Sequence, residues 1–388
     1  MLGLRTRPDE PFDESDMDHF HQLCSRTARK DDYHLCCRVE HNVPVFSGER
    51  LRQALALPYG REQAMNELYQ CLLSGPGVFV VTGLFDDSAI VDRANKALEG
   101  LTRHGEVGNR ARENEFASRA TESNSFQNHA SSDPGNFVDY YSNELIALAA
   151  EAWLGLGYQI SGQHCHNVNP AGKAHHPHWD DHLGFQSEAT ACKVPMMTQI
   201  TSQFLTLQLA VAHSDMPLGS GPTRLLPFSH LYPHGYLAYP HKMFVQYFTD
   251  HHITPALSKG DGLFFNPALF HAAREIVSVC KGISVNWLQI SACWTRTMQR
   301  VDRAAVLRAV WEDILRFKRT ATGVRLDALV TALGDSIPSP TRLDLDPPLA
   351  EGACFLSQRD IVQRGVLEEW SRERLLEVLA AWKHRYKG

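Results

Sequence analysis

The spacing of apolar residues changes along the chain, and each change predicts a different kind of element. Residues 62–74 carry apolar side chains at helical spacing, and the run VFVVTGLF, which ends at Phe85, predicts a buried strand. Asp86, Asp87 or Ser88 can cap a second helix directly after it. Residues 1–60 and 104–136 are polar without periodicity, so we expect an irregular N-terminal extension and a long loop.

Between about residues 157 and 293 the pattern changes to short apolar runs separated by proline and glycine. The runs are GYQISGQHCHNV, TSQFLTLQLAVA, GLFF and GISVNWLQIS. This texture predicts an all-β barrel or sandwich. Helical spacing returns from residue 301, around Trp311. Ser357 with Asp360 predicts a capping box, and Ser371 predicts the cap of a last helix.

Composition limits the classes of function. The chain has 388 residues, 43% apolar and 21% charged, which suits one large core or two modest ones. A net charge of −6 without a basic stripe argues against nucleic-acid binding. No stretch reaches the roughly 18 apolar residues of a membrane span, and the start lacks the apolar region of a secretion signal. Nine scattered cysteines without a CxxC pair indicate reduced thiols, so a cytoplasmic protein is expected.

Histidine is the residue type that suggests chemistry. The chain has 20 histidines, and six of them lie between His164 and His182. Within that stretch His178, Trp179 and Asp180 form an H-x-D sequence, and residues i and i+2 of a strand share a face. An imidazole and a carboxylate on one face are two ligands of the 2-His-1-carboxylate triad of non-haem Fe(II). The neighbours Asp181 and His182 are alternatives at this stage.

Two later segments extend the pattern. Residues 219–230 read GSGPTRLLPFSH, with a glycine turn, a short apolar run and the Pro-Phe-Ser-His ending. Gly260, Asp261 and Gly262 then make a turn before the apolar strand that ends at Phe265, and His271 follows a second break at Asn-Pro. His271 is the candidate for the second histidine ligand.

In this order, the three segments resemble the phytanoyl-CoA dioxygenase family of Fe(II)/2-oxoglutarate oxygenases. The resemblance covers about residues 62–293 and implies a mainly β fold with flanking helices (α+β). Its core would be a double-stranded β-helix, a jelly roll of two antiparallel sheets, with a helical C-terminal extension. We therefore expect an extension over 1–60, the oxygenase domain over 61–298 and helices over 299–388 that pack on the same domain.

The resemblance also assigns the metal ligands and co-substrates. His178, Asp180 and His271 would hold Fe(II), with 2-oxoglutarate and O2 as co-substrates, and His230 would be structural. A carboxylate at 180 implies hydroxylation, desaturation or oxidative cyclisation, because related halogenases carry glycine or alanine there.

The residues that would hold 2-oxoglutarate depart from the family pattern. The family has an arginine about ten residues after the distal histidine, where this chain has Lys281. A lysine can hold a carboxylate as a point charge but lacks the bidentate fork of arginine. Lys281 is the first candidate and Arg274 the second, and Gln163, Asn167 and Thr223 are further candidates for cofactor contacts.

The substrate site is expected in a proline-rich loop, residues 337–348. Leu343 and Leu345 could line a pocket while Arg342 faces a substrate carboxylate, and Trp179 is a further wall candidate. The expected substrate is a small molecule of secondary metabolism, with a small amino acid as one candidate, and the sequence allows a homodimer. The alternatives are a metal cupin that does not use 2-oxoglutarate, a zinc hydrolase, which lacks an HExxH sequence, and a non-catalytic β-helix partner subunit.

Overall fold

The computed structural model describes residues 12–104, 120–166, 177–179, 187–218, 223–273, 283–297, 299–337 and 356–386. In these ranges the helices are α1 (Glu14–Cys24), α2 (Gly48–Leu55), α3 (Gly60–Leu73), α4 (Ser88–His104), α5 (Ser125–Ser132), α6 (Pro134–Tyr141), α7 (Glu144–Leu154), α8 (Glu188–Ala191), α9 (Met196–Ser202), α10 (Gly235–Ala238), α11 (Lys242–His251), α12 (Arg303–Lys318), α13 (Gly323–Leu333), α14 (Gln358–Leu367) and α15 (Arg372–Tyr386). The strands are β1 (Cys36–Glu40), β2 (Val43–Ser47), β3 (Val78–Thr82), β4 (Ala120–Ser123), β5 (Tyr158–His166), β6 (Thr206–Ala212), β7 (Thr223–Leu225), β8 (Gly262–Phe265), β9 (His271–Ala273) and β10 (Val285–Ala292).

The chain divides into two compact units. The first contains residues 1–86, 111–120 and 165–287, and the second contains the remaining residues. The three-part division into 1–60, 61–298 and 299–388 stays a prediction.

A mixed sheet forms the larger layer of the first unit. Its strands lie in the order β1-β2-β3-β8-β6, with β2 and β3 parallel and the other pairs antiparallel. On one face, Phe79 stacks on Phe264 at 5.0 Å between ring centroids and meets Phe46 edge-on. Helix α3 packs on β3. Both faces of β3 are buried, which is why its sequence is a continuous apolar run rather than an alternating one.

A smaller antiparallel layer faces the larger sheet. Strands β7 and β9 pair, and single backbone bridges add His178 beside β9 and Ile253 beside β7. A buried cluster joins side chains of both layers, among them Leu225 of the smaller one and Val80 and Phe265 of the larger one. Two sheets packed over a common apolar core form a β-sandwich, the architecture of a jelly roll, and the double-stranded β-helix predicted for this chain is confirmed.

Two expectations about irregular segments are wrong. The region 1–60 contains α1, α2 and the β1–β2 hairpin, and β2 pairs with β3. Likewise 104–136 includes α5 and the start of α6. The reason is that both stretches bury scattered aromatic side chains, such as Phe20, Phe46 and Phe126, without a periodic pattern that would mark an element.

Helices α12, α14 and α15 of the second unit agree with the predicted pattern. Helix α12 carries the fully buried Trp311, whose indole nitrogen donates to the carbonyl of Trp370 at 2.8 Å. The capping box of Ser357 and Asp360 is present at the start of α14, and Ser371 caps α15. None of the described helices has the length and apolar character that a membrane span requires.

Two glycines of the first unit allow the cost of backbone strain to be distinguished from the cost of steric crowding. Gly77 (φ +78°) and Gly83 (φ +62°) both adopt left-handed backbone angles. A Cβ at Gly77 would lie 2.5 Å from Nδ1 of His230, whereas nothing lies within 4 Å of one at Gly83. We predict that Gly83→Ala lowers the free energy of unfolding by about 1 kcal/mol from strain alone.

We predict that Gly77→Ala lowers the free energy of unfolding by about 2 kcal/mol more than Gly83→Ala does, because the buried imidazole of His230 must also move. Urea unfolding of both variants measures this difference, provided that the dependence of the free energy on urea concentration is the same for both. Equal losses for the two variants would show that the space around Gly77 is not restrictive.

Candidate functional site

The two predicted histidine ligands lie side by side. His178 and His271 form an antiparallel backbone bridge, in which the His178 amide donates to the His271 carbonyl at 2.8 Å. Residues that face each other across an antiparallel pair place their side chains on the same face. The ring centroids of the two imidazoles are 4.3 Å apart and the rings are tilted by 54°. Residues separated by about ninety positions in the sequence therefore meet at one place on the inner face of the smaller sheet.

The hydrogen bonding of His271 fixes which nitrogen is available to a metal. Its Nδ1 lies 2.7 Å from the carbonyl oxygen of Leu269. A carbonyl only accepts, so Nδ1 carries the proton, and the lone pair of the neutral ring is on Nε2. Metal-bound histidines in proteins have this second hydrogen bond as a rule. Phe265 packs edge-on against the same ring at 5.0 Å, which restricts its orientation further.

Two hydroxyl groups of the 219–230 segment hold strand β9 in place. The Thr223 hydroxyl donates to the carbonyl of Ala272 at 2.9 Å. The Ser229 hydroxyl accepts from the Phe270 amide at 2.8 Å and donates to the Leu226 carbonyl at 2.7 Å. The serine of the Pro-Phe-Ser-His ending therefore acts on the residue that directly precedes His271.

Asn266 is a positioning residue that the sequence reading did not single out. Its side-chain amide donates to the Leu72 carbonyl at 3.1 Å and to Gln203 Oε1 at 3.0 Å, while its oxygen accepts from the Ala268 amide at 2.9 Å. Asn266 thus fixes the turn between β8 and β9. Its signal in the sequence is the Asn-Pro pair, which by itself predicts only a break.

Trp179 anchors the H-x-D segment from the outside. It lies between His178 and Asp180 in the sequence, and its ring packs with Tyr236 in an apolar cluster that also contains Phe270 and Ala272. The residue is only 4% exposed. The alternation expected of a strand is therefore present, with His178 on the inner face and Trp179 on the outer one. The contact of Trp179 with substrate stays a prediction.

Glycine at 235 is what lets this anchor fit. A Cβ at Gly235 would lie 2.3 Å from Cζ3 of the Trp179 ring. The first turn of α10 therefore touches the indole directly, and a side chain there would push the segment that carries His178.

The other predicted contacts lie at different places. Thr223 is buried on the inner face, two residues along β7 from Leu225, the partner of His271. Arg224 lies on the outer face, with its guanidinium 5.4 Å from the centre of the Phe248 ring. Gln163 lies on β5 and is half-buried. Outside the described residues lie Asp180, Lys281, Arg274, Asn167, Arg342, Leu343 and Leu345.

The residues present fit an iron ion of the predicted kind. Two neighbouring imidazoles, one with its tautomer fixed for ligation through Nε2, supply the histidine pair of a 2-His-1-carboxylate site. Within the described ranges no three His, Cys, Asp or Glu side chains gather as a metal site. The predicted carboxylate, Asp180, follows two residues after His178, beyond the end of one such range.

His230 is buried against the backbone of Gly77, and burial lowers the pKa of its imidazole from the usual 6.5 to about 3. The ring is therefore neutral at physiological pH, and its place agrees with the structural part assigned to it from the sequence.

The family of the chain follows from a comparison with known proteins. The family model for phytanoyl-CoA dioxygenase matches residues 74–281, which is more than half of the chain. The chain therefore belongs to the phytanoyl-CoA dioxygenase family, whose enzymes depend on iron and 2-oxoglutarate. No match was found among curated proteins.

The solved structures to which part of the chain is similar are distant in sequence. The epimerase SnoN from nogalamycin biosynthesis is 18% identical, with a TM-score of 0.43 over 60% of this chain and 84% of its own. The carbocyclase SnoK from the same biosynthesis is 14% identical, with a TM-score of 0.44 over 62% and 86%. A hypothetical protein from Escherichia coli is 12% identical, with a TM-score of 0.42 over 65% and 72%.

We predict that Gly235→Ala weakens Fe(II) binding although residue 235 is not a ligand. The new methyl group displaces the Trp179 ring and, with it, the His178 backbone, and loss of such support typically costs 10- to 100-fold in metal affinity. Anaerobic Fe(II) titration of the folded protein measures the effect. Gly323→Ala is the control, because nothing lies within 4 Å of a Cβ there. An unchanged iron affinity in Gly235→Ala would show that Trp179 does not set the ligand position.

Acid is predicted to destabilise the fold through His230. The unfolded chain takes up a proton on this imidazole below about pH 6.5, and the folded chain does so only near pH 3. The free energy of unfolding contributed by this group therefore falls as the pH is lowered from about 6.5 towards 3, by about 1.4 kcal/mol per pH unit. His230→Asn removes this slope, while the exposed His251→Asn keeps it. Identical pH profiles for wild type and His230→Asn would contradict the prediction.

Proposed function

We propose that this protein is an Fe(II)/2-oxoglutarate-dependent dioxygenase that oxidises an unactivated C–H bond of a small molecule. The observation that supports this most directly is the bridged pair of His178 and His271, with the Nδ1 proton of His271 held by the Leu269 carbonyl. Membership of the phytanoyl-CoA dioxygenase family supports the same reaction class.

In this proposal His178, Asp180 and His271 hold the iron, and Asp180 supplies the anionic ligand. With 2-oxoglutarate and O2, iron in such a site supplies an oxidant strong enough for C–H bonds, while 2-oxoglutarate is converted to succinate and CO2. As an iron ligand, the carboxylate of Asp180 would occupy the position that a halide needs. Hydroxylation, desaturation or oxidative cyclisation is therefore proposed rather than halogenation.

The protein's own part is to orient the ligands and to keep water away from them. Leu225 pairs with His271 on the inner face, and Phe265 packs on its ring, and both side chains are fully buried. An apolar wall next to the imidazoles limits side reactions of a reactive centre with water. The Leu269 carbonyl keeps the proton on Nδ1, so that Nε2 stays available for the metal.

For 2-oxoglutarate we propose Lys281 as the partner of the distal carboxylate, with Arg274 as the second candidate. Gln163, Asn167 and Thr223 are proposed to hydrogen-bond the co-substrate. The Thr223 hydroxyl donates its proton to the Ala272 carbonyl, and its oxygen can still accept a hydrogen bond from the co-substrate's surroundings.

The substrate is proposed to be a small molecule of secondary metabolism, with a small amino acid as one candidate. Arg342 would bind a substrate carboxylate, and Leu343 and Leu345 would line the pocket. We further propose a cytoplasmic location and a homodimer. The described cysteines Cys24, Cys36, Cys37, Cys71, Cys192 and Cys293 are free thiols, which supports a reducing compartment.

One observation favours a second candidate, a metal cupin enzyme that does not use 2-oxoglutarate. The position where the family has its 2-oxoglutarate arginine carries Lys281. Because the lysine cannot make the bidentate contact, the binding of 2-oxoglutarate separates the two candidates.

We predict that anaerobic addition of Fe(II) and 2-oxoglutarate produces a weak visible charge-transfer band. His271→Ala and Asp180→Ala are expected to abolish it, because each removes a ligand, whereas the exposed His251→Ala leaves it unchanged. Fe(II) binding without the band would favour the second candidate. No Fe(II) binding at all would contradict both.

The lysine prediction has its own measurement. We expect Lys281→Ala to weaken 2-oxoglutarate binding by at least tenfold, because it removes the charge that faces the distal carboxylate. Arg274→Ala is the matched comparison in the same segment. If Arg274→Ala weakens 2-oxoglutarate binding and Lys281→Ala does not, Arg274 is the partner of the distal carboxylate and the assignment to Lys281 is wrong.

A further inference from the structure

The first unit contains a cavity that the proposed oxygenase reaction does not use. Its volume is about 780 Å³, and its floor is formed by apolar side chains of β2, β3 and the segments around residues 216 and 257. These are Val43, Val45, Val80, Met216, Ile253 and Leu257. All but Ile253 are less than 5% exposed. Asp215 and Leu218 at the rim are exposed, so the cavity is open to solvent on one side and these packed side chains form its base.

The sheet register places this cavity apart from the imidazole pair. Ile253 bridges to Leu225, and Leu225 in turn pairs with His271. Paired residues share a face, so Ile253 lies on the inner face two strand spacings, or about 10 Å, from His271. The fully buried side chain of Leu225 stands between them. The cavity and the proposed iron site thus use opposite edges of the same small sheet.

The rim of the cavity is polar and carries an excess of carboxylates. Glu40, Asp215 and Asp261 line it, together with His41 and with Arg38, which is paired with Glu40. Asp261 has both oxygens occupied, by the amides of Gly83 and Ser258 at 2.8 Å each. The rim therefore favours a positively charged group.

Asp215 is the carboxylate with room for a ligand. One of its oxygens accepts from the Lys259 amide at 2.8 Å, and that bond fixes the carboxylate at the rim. Among the described residues none donates to the second oxygen, which can accept a hydrogen bond from a bound cation. A fixed carboxylate above an apolar cavity is a usual arrangement in pockets for amphipathic ligands.

An exposed apolar side chain next to Asp215 points to the same kind of ligand. Leu218 lines the rim and is 69% exposed. Large apolar side chains at the edge of a pocket gain most when a ligand covers them. The rim thus offers an apolar contact beside its negative charge.

We propose that this cavity is a second small-molecule site, for an amphipathic primary amine. The alkyl part lies against Ile253 and Leu218, the accessible apolar side chains of the lining, and the ammonium group binds Asp215. The site does not depend on iron, since none of its residues belongs to the proposed metal ligands.

The first test is calorimetric titration of the full-length protein in the presence of a metal chelator with n-alkylamines of three to eight carbons. Affinity is expected to rise about fourfold for each added methylene until the cavity is filled. Carboxylates of the same chain length are expected to bind at least tenfold more weakly. No binding of any amine, or equal binding of amines and carboxylates, would overturn the proposal.

Variants then locate the site. Asp215→Asn keeps the oxygen that accepts from the Lys259 amide but loses the negative charge. We expect it to lower the affinity for amines about tenfold. The affinity for an alcohol of equal chain length should not change. Ile253→Trp fills the cavity and should abolish binding of the longer amines. The rim variant Leu218→Ser, on the exposed surface, should weaken only the longer amines. Asp250→Asn, an exposed carboxylate on α11, is the matched control.

Iron binding keeps the two proposals distinct. Ile253→Trp is expected to bind Fe(II) like the wild type, because the tryptophan fills the cavity on the far side of Leu225. The assignment is overturned if the amine affinity is unchanged in all three variants, Ile253→Trp, Leu218→Ser and Asp215→Asn. In that case the amine binds elsewhere. Absence of iron binding in the wild type would remove the oxygenase proposal and leave the amine result standing.

Discussion

The backbone bridge between His178 and His271 is the contact on which the proposed site depends. It aligns two strands of the smaller sheet so that both imidazoles point into the space between the layers. A shift of one residue in this register would turn one ring to the outer face, where Trp179 now lies. The contacts described above act to keep this register, either from β9 or from Trp179.

The supporting contacts come from segments that have no ligand of their own. Thr223 and Ser229 hold the backbone of β9, and Asn266 fixes the turn that leads into it. Gly235 gives Trp179 the space to anchor the other strand. A metal site of this type is therefore a property of the packed sandwich, because no single segment of the chain defines the position of both rings.

Sequence reading was strongest where local chemistry decides the outcome. The capping box of Ser357 and Asp360 and the apolar run at β3 were predictable because each depends on neighbouring residues only. The β1–β2 hairpin was missed because it is stabilised by pairing with β3, a contact that no local pattern announces. For the site, the ordered motifs indicated His178 and His271. The parts of Ser229 and Asn266 could not be predicted, since their partners become visible only when β9 is in place.

The distance between the two histidines along the chain has a consequence for folding. About ninety residues separate them, and they meet only through pairing within the smaller sheet. Contacts this distant in sequence form late, because closing the long loop between them costs conformational entropy before the contacts can stabilise the fold. An ion held by both rings would therefore bind a chain that has already folded around it. Such an ion would slow the opening of the sandwich, and it could not guide the early steps of its assembly.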